Sequence, residues 1–202
     1  MFKHLIAHRK NTILDLNNTP KKYGIEVDIR SRGEDLIIHH DAFVDGENFE
    51  HWIQNYNHGT LILNVKEEGL EQRLLSIMQT QKIDDFFFLD QSFPFLVRTS
   101  NLGESRCAVR VSEFENIATA ITLAGKIDWV WVDCFTRFPL NKAEYDTLIA
   151  NKFKLCLVSP ELQGRDADSG ISAMAQLLRE FDMTMDAVCT KRPDLWEAEL
   201  ND

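Results

Sequence analysis

Apolar and polar positions follow two rhythms along the chain. Short, nearly unbroken apolar runs occupy residues 3–8, 25–30, 60–66, 85–90, 106–111, 129–135, 154–159 and 186–190. They are rich in Val, Ile, Phe and Trp, the pattern of strands buried on both faces. Between them, residues 70–81, 112–125, 141–152 and 170–181 carry apolar side chains at helical spacing. Ser112 with Glu115 reads as a capping box and Gly125 as a helix stop, while residues 90–103 read as a shorter helix with loops.

Strand candidates alternating with helices predict an α/β fold, a compact (β/α)8 barrel of TIM type. The stretch from Arg9 to Tyr23 is too short for a long helix, so the first β/α connection is expected to be trimmed. A doubly wound open sheet is the alternative, but the chain holds no Gly-x-Gly-x-x-Gly loop to support a dinucleotide site. Without a repeat, a low-complexity tract or a linker, residues 1–202 are expected to form one domain.

Polar residues collect where the runs end. In order these are His8 and Arg9, then Glu26, Asp28 and Arg30, then Asn64 and Lys66, Asp90, Arg110, Asp133, Ser159 and Glu161, and Thr190 and Lys191. In a barrel all of them gather round the rim where catalytic groups sit. Glu26, Asp28 and Arg30 share one face of their strand, and two carboxylates at that spacing suit a hard cation with oxygen ligands. The segment 36–41 returns beside them with His39 and His40. Carboxylates with a metal, basic side chains and two imidazoles suit phosphoryl chemistry. There is no Gly-x-x-x-x-Gly-Lys-Ser/Thr loop and no Gly-x-Ser-x-Gly elbow.

Composition narrows the partners. With a formal net charge of −10, the chain is not a general nucleic-acid or membrane-surface binder, although a local phosphate site remains compatible with it. No apolar stretch is long enough to span a bilayer, and no signal-peptide run opens the chain. The widely spaced Cys107, Cys134, Cys156 and Cys189 lack zinc spacing and read as buried free thiols in a reducing compartment, so the expected location is the cytoplasm. The exchange of His39 for His40 stays open on alternation alone, since the two face opposite ways. His40 is preferred because it directly precedes Asp41.

These stations resemble the glycerophosphodiester phosphodiesterase family, one of the phosphatidylinositol-phospholipase-C-like barrels. That family reads His-Arg-Gly, Glu-x-Asp, His-Asp, Glu-x-Lys and Thr-Asp-x-Pro in order. Here the matching residues are His8-Arg9-Lys10, Glu26-Val27-Asp28, His40-Asp41, Asn64-Val65-Lys66 and Thr190-Lys191-Arg192-Pro193. The resemblance implies a phosphodiesterase that cleaves a small glycerol- or sugar-phosphate diester with a divalent cation, Mg2+ or Ca2+. It implies His8 and His40 as the acid/base pair, Arg9 and Lys66 on the phosphate, and Glu26, Asp28 and Asn64 at the metal. Three departures stand out: Lys10 replaces the motif glycine, the family's Glu-Asn-Thr segment after the first strand has no clean match, with Asn11-Thr12 and Asn18-Thr19 both competing for it, and Asn64 replaces an acidic ligand, which removes a charge from the metal set. Glu67, Asp90 and Asp133 are the candidates to replace it. The same departure motivates a second reading, a barrel without turnover that binds a phosphorylated ligand or an assembly partner. A carboxylate-pair glycosidase leaves the histidines unexplained.

Overall fold

The computed structural model describes residues 2–201. In chain order the elements are β1 (His4–Ala7), α1 (Ile13–Asn18), β2 (Gly24–Arg32), β3 (Asp35–Ile38), β4 (Glu47–Asn48), α2 (Phe49–Trp52), β5 (Leu61–Val65), α3 (Glu71–Gln81), β6 (Phe86–Leu89) and α4 (Phe93–Asn101). They continue with β7 (Ala108–Val111), α5 (Ile117–Thr122), β8 (Trp129–Val132), α6 (Lys142–Ala150), β9 (Lys154–Val158), α7 (Ala167–Glu180), β10 (Ala187–Thr190) and α8 (Pro193–Asn201). Every apolar run of the sequence contains a strand. The first connection is indeed short, a six-residue helix capped by the Thr12 hydroxyl.

Parallel pairing runs β7-β8-β9-β10-β1-β2-β5-β6. Between β6 and β7 a single bridge, Phe88–Cys107, carries Phe88 N–H to Arg106 O at 2.8 Å. The result is a mixed α/β fold on a curled parallel sheet of TIM-like type. β2 is the longest strand and serves three neighbours in turn. Its first residues pair with β1 and its middle with β5, and Ile29–Arg32 leave the curled sheet to pair with β3 antiparallel.

Strand alternation divides the core in two. Ile6, Ile62, Phe87, Leu89, Ala108, Trp129, Trp131, Cys156, Val158, Ala187 and Cys189 form the cluster inside the curl, where Phe87 stacks on Trp129 with centroids 4.4 Å apart. Their immediate neighbours along each strand face the other way and pack with the helices. On β2 the inward parity falls on Glu26 and Asp28, in register with Ile62 and Asn64 of β5. Two residues on along each strand, the inner apolar layer therefore gives way to polar side chains. All four cysteines are buried and unbridged.

Two sequence expectations need correction. Ser112 and Glu115 do not cap a helix. They close a small turn through backbone bonds in both directions and a Ser112 Oγ to Glu115 Oε2 bond of 2.8 Å. The cap of α5 is Asn116, and the helix ends at Thr122, short of Gly125. A capping box does occur, at Asn141 and Glu144 on α6. The C-terminal helix α8 was not anticipated; its Trp196 is fully buried and donates from Nε1 to Ser159 Oγ at 2.8 Å.

Candidate active site

A cavity of about 220 Å³ lies at the C-terminal ends of the strands. His8, Arg9, Glu26, His40, Asn64 and Lys66 line it, with Asp90, Arg110, Asp133 and Lys191 completing the charged part of its wall. Inward parity accounts for most of these. His8 continues Ile6, Asn64 and Lys66 continue Ile62, Arg110 continues Ala108, Asp133 continues Trp131, and Lys191 continues Cys189. Asp90 and Arg9 depart from the extended path at φ 59° and φ 50°, the left-handed region that costs a non-glycine residue about 1 kcal/mol or more.

Arg9 is held in that conformation by the carboxylate it faces. Its backbone N–H donates to Glu26 Oε2 at 2.7 Å, and Lys10 N–H donates to the Glu26 carbonyl at 3.0 Å. Trp52 fixes the same turn by donating from Nε1 to the Lys10 carbonyl at 3.1 Å. The segment thus makes its turn with Lys10 where the motif has glycine.

Asp28 is completely buried and lies beneath the cavity rather than on its wall. Asn11 binds it twice, donating from Nδ2 to Oδ2 at 2.8 Å and accepting the Asp28 N–H at 3.1 Å. Arg9 Nε stands 3.4 Å from Oδ2, and Lys66 Nζ stands 3.2 Å from Oδ1. Lys66 also reaches Asp90 Oδ2 at 3.2 Å. Arg110 closes on Asp90 and lies 3.4 Å from Asp133, which accepts a bond from Gln163 Nε2 at 2.7 Å. Of the two candidates for the Asn-Thr station, it is Asn11 that meets the acidic pair through Asp28.

Glu26 accepts from Asn64 Nδ2 at 2.8 Å in the interior, and His8 Nε2 lies 3.9 Å from its other oxygen. Burial, reinforced by the neighbouring Asp28 charge, holds the Glu26 carboxyl well above the usual carboxylate range. Burial also pushes His8 down to about 3, with the Arg9 charge adding to the effect, so His8 is uncharged at neutral pH. Asp133 is raised by burial, against the pull of Arg110 and Gln163.

Of the two candidate histidines at the return segment, His40 lines this cavity and His39 does not. His40 Nδ1 meets Asp41 Oδ1 at 2.7 Å, a contact that lowers the Asp41 carboxyl. His39 turns aside to accept the Asp41 N–H at 2.9 Å. Arg30 anchors the segment by donating to the His40 carbonyl from Nε at 3.2 Å and from its terminal nitrogen at 2.9 Å.

Among the described residues no group of three or more His, Cys, Asp or Glu side chains is placed to hold a metal ion. The oxygen set consists of two carboxylates, Glu26 and Asp28, and the Asn64 amide. Two of its atoms, Asp28 Oδ1 and Asn64 Oδ1, are buried without a hydrogen bond, which fits a hard divalent cation in donor type. Lys66 faces the same Asp28 oxygen and competes for it. None of the proposed replacements joins the set. Glu67 accepts from Ser31 N at 3.1 Å and pairs with Arg30 at 3.6 Å, while Asp90 and Asp133 are committed to Lys66, Arg110 and Gln163. Glu161, one of the polar residues at the run ends, ties down the end of β10, accepting from Thr190 Oγ1 at 2.5 Å and Lys191 N–H at 2.9 Å. No described helix is long and apolar enough to cross a membrane.

No protein-family model matches the sequence, and no curated protein matches it in sequence. Solved structures do match. A glycerophosphodiester phosphodiesterase from Agrobacterium tumefaciens superposes over 97% of this chain and 99% of its own, with TM-score 0.69 and 13% identity. A glycerophosphoryl diester phosphodiesterase from Parabacteroides distasonis superposes over 98% of this chain and 86% of its own, with TM-score 0.70 and 11% identity. The chain resembles the glycerophosphodiester phosphodiesterases, and the likeness is one of fold.

Proposed function

We propose that this chain is a phosphoric diester hydrolase, a metal-dependent phosphodiesterase acting on a small glycerol- or sugar-phosphate diester by histidine acid/base catalysis. The reading takes the fold as a compact (β/α)8 barrel, one domain over residues 1–202, with the Phe88–Cys107 bridge between β6 and β7. The observation that carries it is the meeting of His8 and His40 with Arg9 and Lys66 on one small cavity at the strand ends.

In this reading His8, uncharged by burial, takes the proton from a substrate hydroxyl next to the phosphate as that oxygen bonds to phosphorus. His40, whose Nδ1 is engaged by Asp41, has Nε2 left to give a proton to the departing alcohol oxygen as its bond to phosphorus breaks. Water then opens the resulting cyclic phosphate with the two histidines exchanging roles. Arg9 and Lys66 neutralise the negative charge on the phosphate oxygens, and buried Asp28 holds both in place. Glu26, Asp28 and Asn64 would hold a divalent cation, Mg2+ or Ca2+, which would supply further neutralisation of the phosphate charge.

The test is hydrolysis of a panel of phosphodiesters with Mg2+, Ca2+ or Mn2+. His8→Ala and His40→Ala are each expected to lower kcat by about 10²- to 10⁴-fold. Full activity in both variants would end the acid/base assignment. One observation favours a second reading, a ligand-binding barrel without turnover: the Asn64 amide brings no charge, and Asp28 is already paired with two side-chain cations. Tight binding of an intact phosphodiester, with no cation binding at millimolar metal, is the result that reading requires.

A further inference from the structure

The curled sheet has one weak seam. β6 pairs with β5 as far as Leu89, but toward β7 it keeps only the Phe88–Cys107 bridge. Beyond that bridge Leu89 and Asp90 have no ladder partner on β7, and Ala108, Val109 and Arg110 pair only with β8. The left-handed turn at Asp90 then leads the chain away towards α4. A cleft of about 510 Å³ occupies the gap between the two strand ends, α4 and α5.

This cleft adjoins the candidate active site. Leu89, Asp90 and Arg110 line both cavities. The Asp90–Arg110 ion pair forms the sill between them, with Lys66 on the active-site side. Beyond the sill the lining is mixed: Leu89, Leu96 and Val109 are buried inside, Gln91, Glu115, Asn116 and Thr119 add polar groups, and Phe93 and Phe114 at the lip are 49% and 78% exposed. Aromatic side chains left this open at the mouth of a cleft gain contact area only when something enters it. The charges at the sill satisfy each other, so the cleft offers no strong site for a charged head group.

We propose that the seam cleft binds one alcohol arm of the diester, and that this arm is an uncharged alcohol with an apolar body larger than glycerol. The proposal rests on the phosphodiesterase reading and deepens it. A phosphate held by Arg9 and Lys66 sends one ester oxygen across the Asp90–Arg110 sill, and the attached group fills the space between Phe93, Leu96 and Phe114. The other arm keeps the hydroxyl that attacks phosphorus. The active-site cavity, less than half the size of the cleft, is left to the phosphate and that smaller arm.

The experiment compares glycerol phosphate methyl ester with glycerol phosphate hexyl ester. The hexyl ester is expected to have a kcat/KM at least about tenfold higher, expressed mainly in KM, because five more methylenes leave water. Thr119→Trp places a large side chain on the cleft-facing side of α5, at an exposed position that tolerates it, and is expected to erase the hexyl preference. Phe114→Ser removes the apolar lip without adding bulk and should lower the same ratio. Equal rates for the two esters, or a ratio unchanged in both variants, would overturn the proposal. If the wild-type protein hydrolyses neither ester, calorimetric binding separates the two ideas. Tighter binding of the hexyl ester that is lost in Thr119→Trp keeps the cleft and removes the phosphodiesterase reading. Binding that is absent, or equal for both esters, removes the cleft.

Discussion

The Lys66 ammonium lies 3.2 Å from Asp28 Oδ1, a fully buried carboxylate oxygen that no hydrogen bond reaches. In the proposed metal set that oxygen and Asn64 Oδ1 are the two without a hydrogen bond. The two cations are therefore alternatives at Asp28, and the balance between them is open to measurement. Lys66→Met keeps the length of the side chain and removes its charge. Calorimetric titration with Ca2+ should show about tenfold tighter binding, since a positive charge within 4–6 Å of the site is gone. An unchanged affinity would mean that Asp28 takes no part in cation binding.

Asn64 is the second control on the same equilibrium. Asn64→Asp adds the missing charge, but it also removes the Nδ2 donor that satisfies Glu26 Oε1 at 2.8 Å. Three buried acidic groups in contact repel one another, so the apo variant is expected to be less stable by about 2 kcal/mol or more. Ca2+ should restore that loss, raising the melting temperature of the variant much more than that of the wild type. A variant as stable as wild type without Ca2+, and indifferent to it, would show that the three oxygens do not act as one site.

The strands of this molecule were legible because they are buried on both faces and written in Val, Ile, Phe and Trp. The parity that places Ile62 inside the curl also places Asn64 and Lys66 at its rim, so much of the lining of the candidate cavity could be read from the strand ends. What escaped was chosen by single side chains rather than by a period. Asn116 took the cap of α5 from Ser112, whose hydroxyl binds Glu115 in a turn. Among the described residues of helix α8 one hydrophobic side chain is buried, Trp196 against Ser159 and Phe2, and the ion pairs of Glu197 with Lys22 and Glu199 with Arg179 add to it, too little to make an amphipathic signature. His39 and His40 were separated only by the Arg30 and Asp41 contacts that fix the return segment.

Backbone conformation yields a prediction outside the site. Lys82 closes α3 as its C-cap at φ 58°, donating its N–H to the Gln79 carbonyl at 3.2 Å, and its exposed side chain has room to be deleted. Glycine adopts this left-handed cap at no steric cost. Lys82→Gly should therefore stabilise the fold by about 0.5–1 kcal/mol in urea denaturation, the relief of the cap outweighing the added freedom of the unfolded chain. A destabilised variant would show that the lysine stem contributes more by packing than its backbone costs.

Glu113 links the loop after β7 to the loop after β8, which carries Phe135 to the wall of the active-site cavity. Its Oε1 accepts from the N–H groups of Thr136 and Arg137, both at 2.6 Å, and its Oε2 accepts from Phe135 N–H at 3.2 Å. Burial pushes this carboxyl up, but the backbone N–H donors of Arg137, Glu113 itself and Thr136, with the Thr136 hydroxyl, bring it down to about 2. A group whose folded value lies below its unfolded one binds fewer protons when folded, so its contribution to stability rises with pH. That contribution is complete above the ordinary value of 4.5 and is lost as the pH falls towards 2. Glu113→Gln keeps the shape and removes the titration. Denaturation of the two proteins from pH 6 down to pH 2.5 should therefore show a stability gap that is widest at the upper end and narrows steadily in acid. A gap that stays constant across the range would place the effect of Glu113 in packing rather than in its charge.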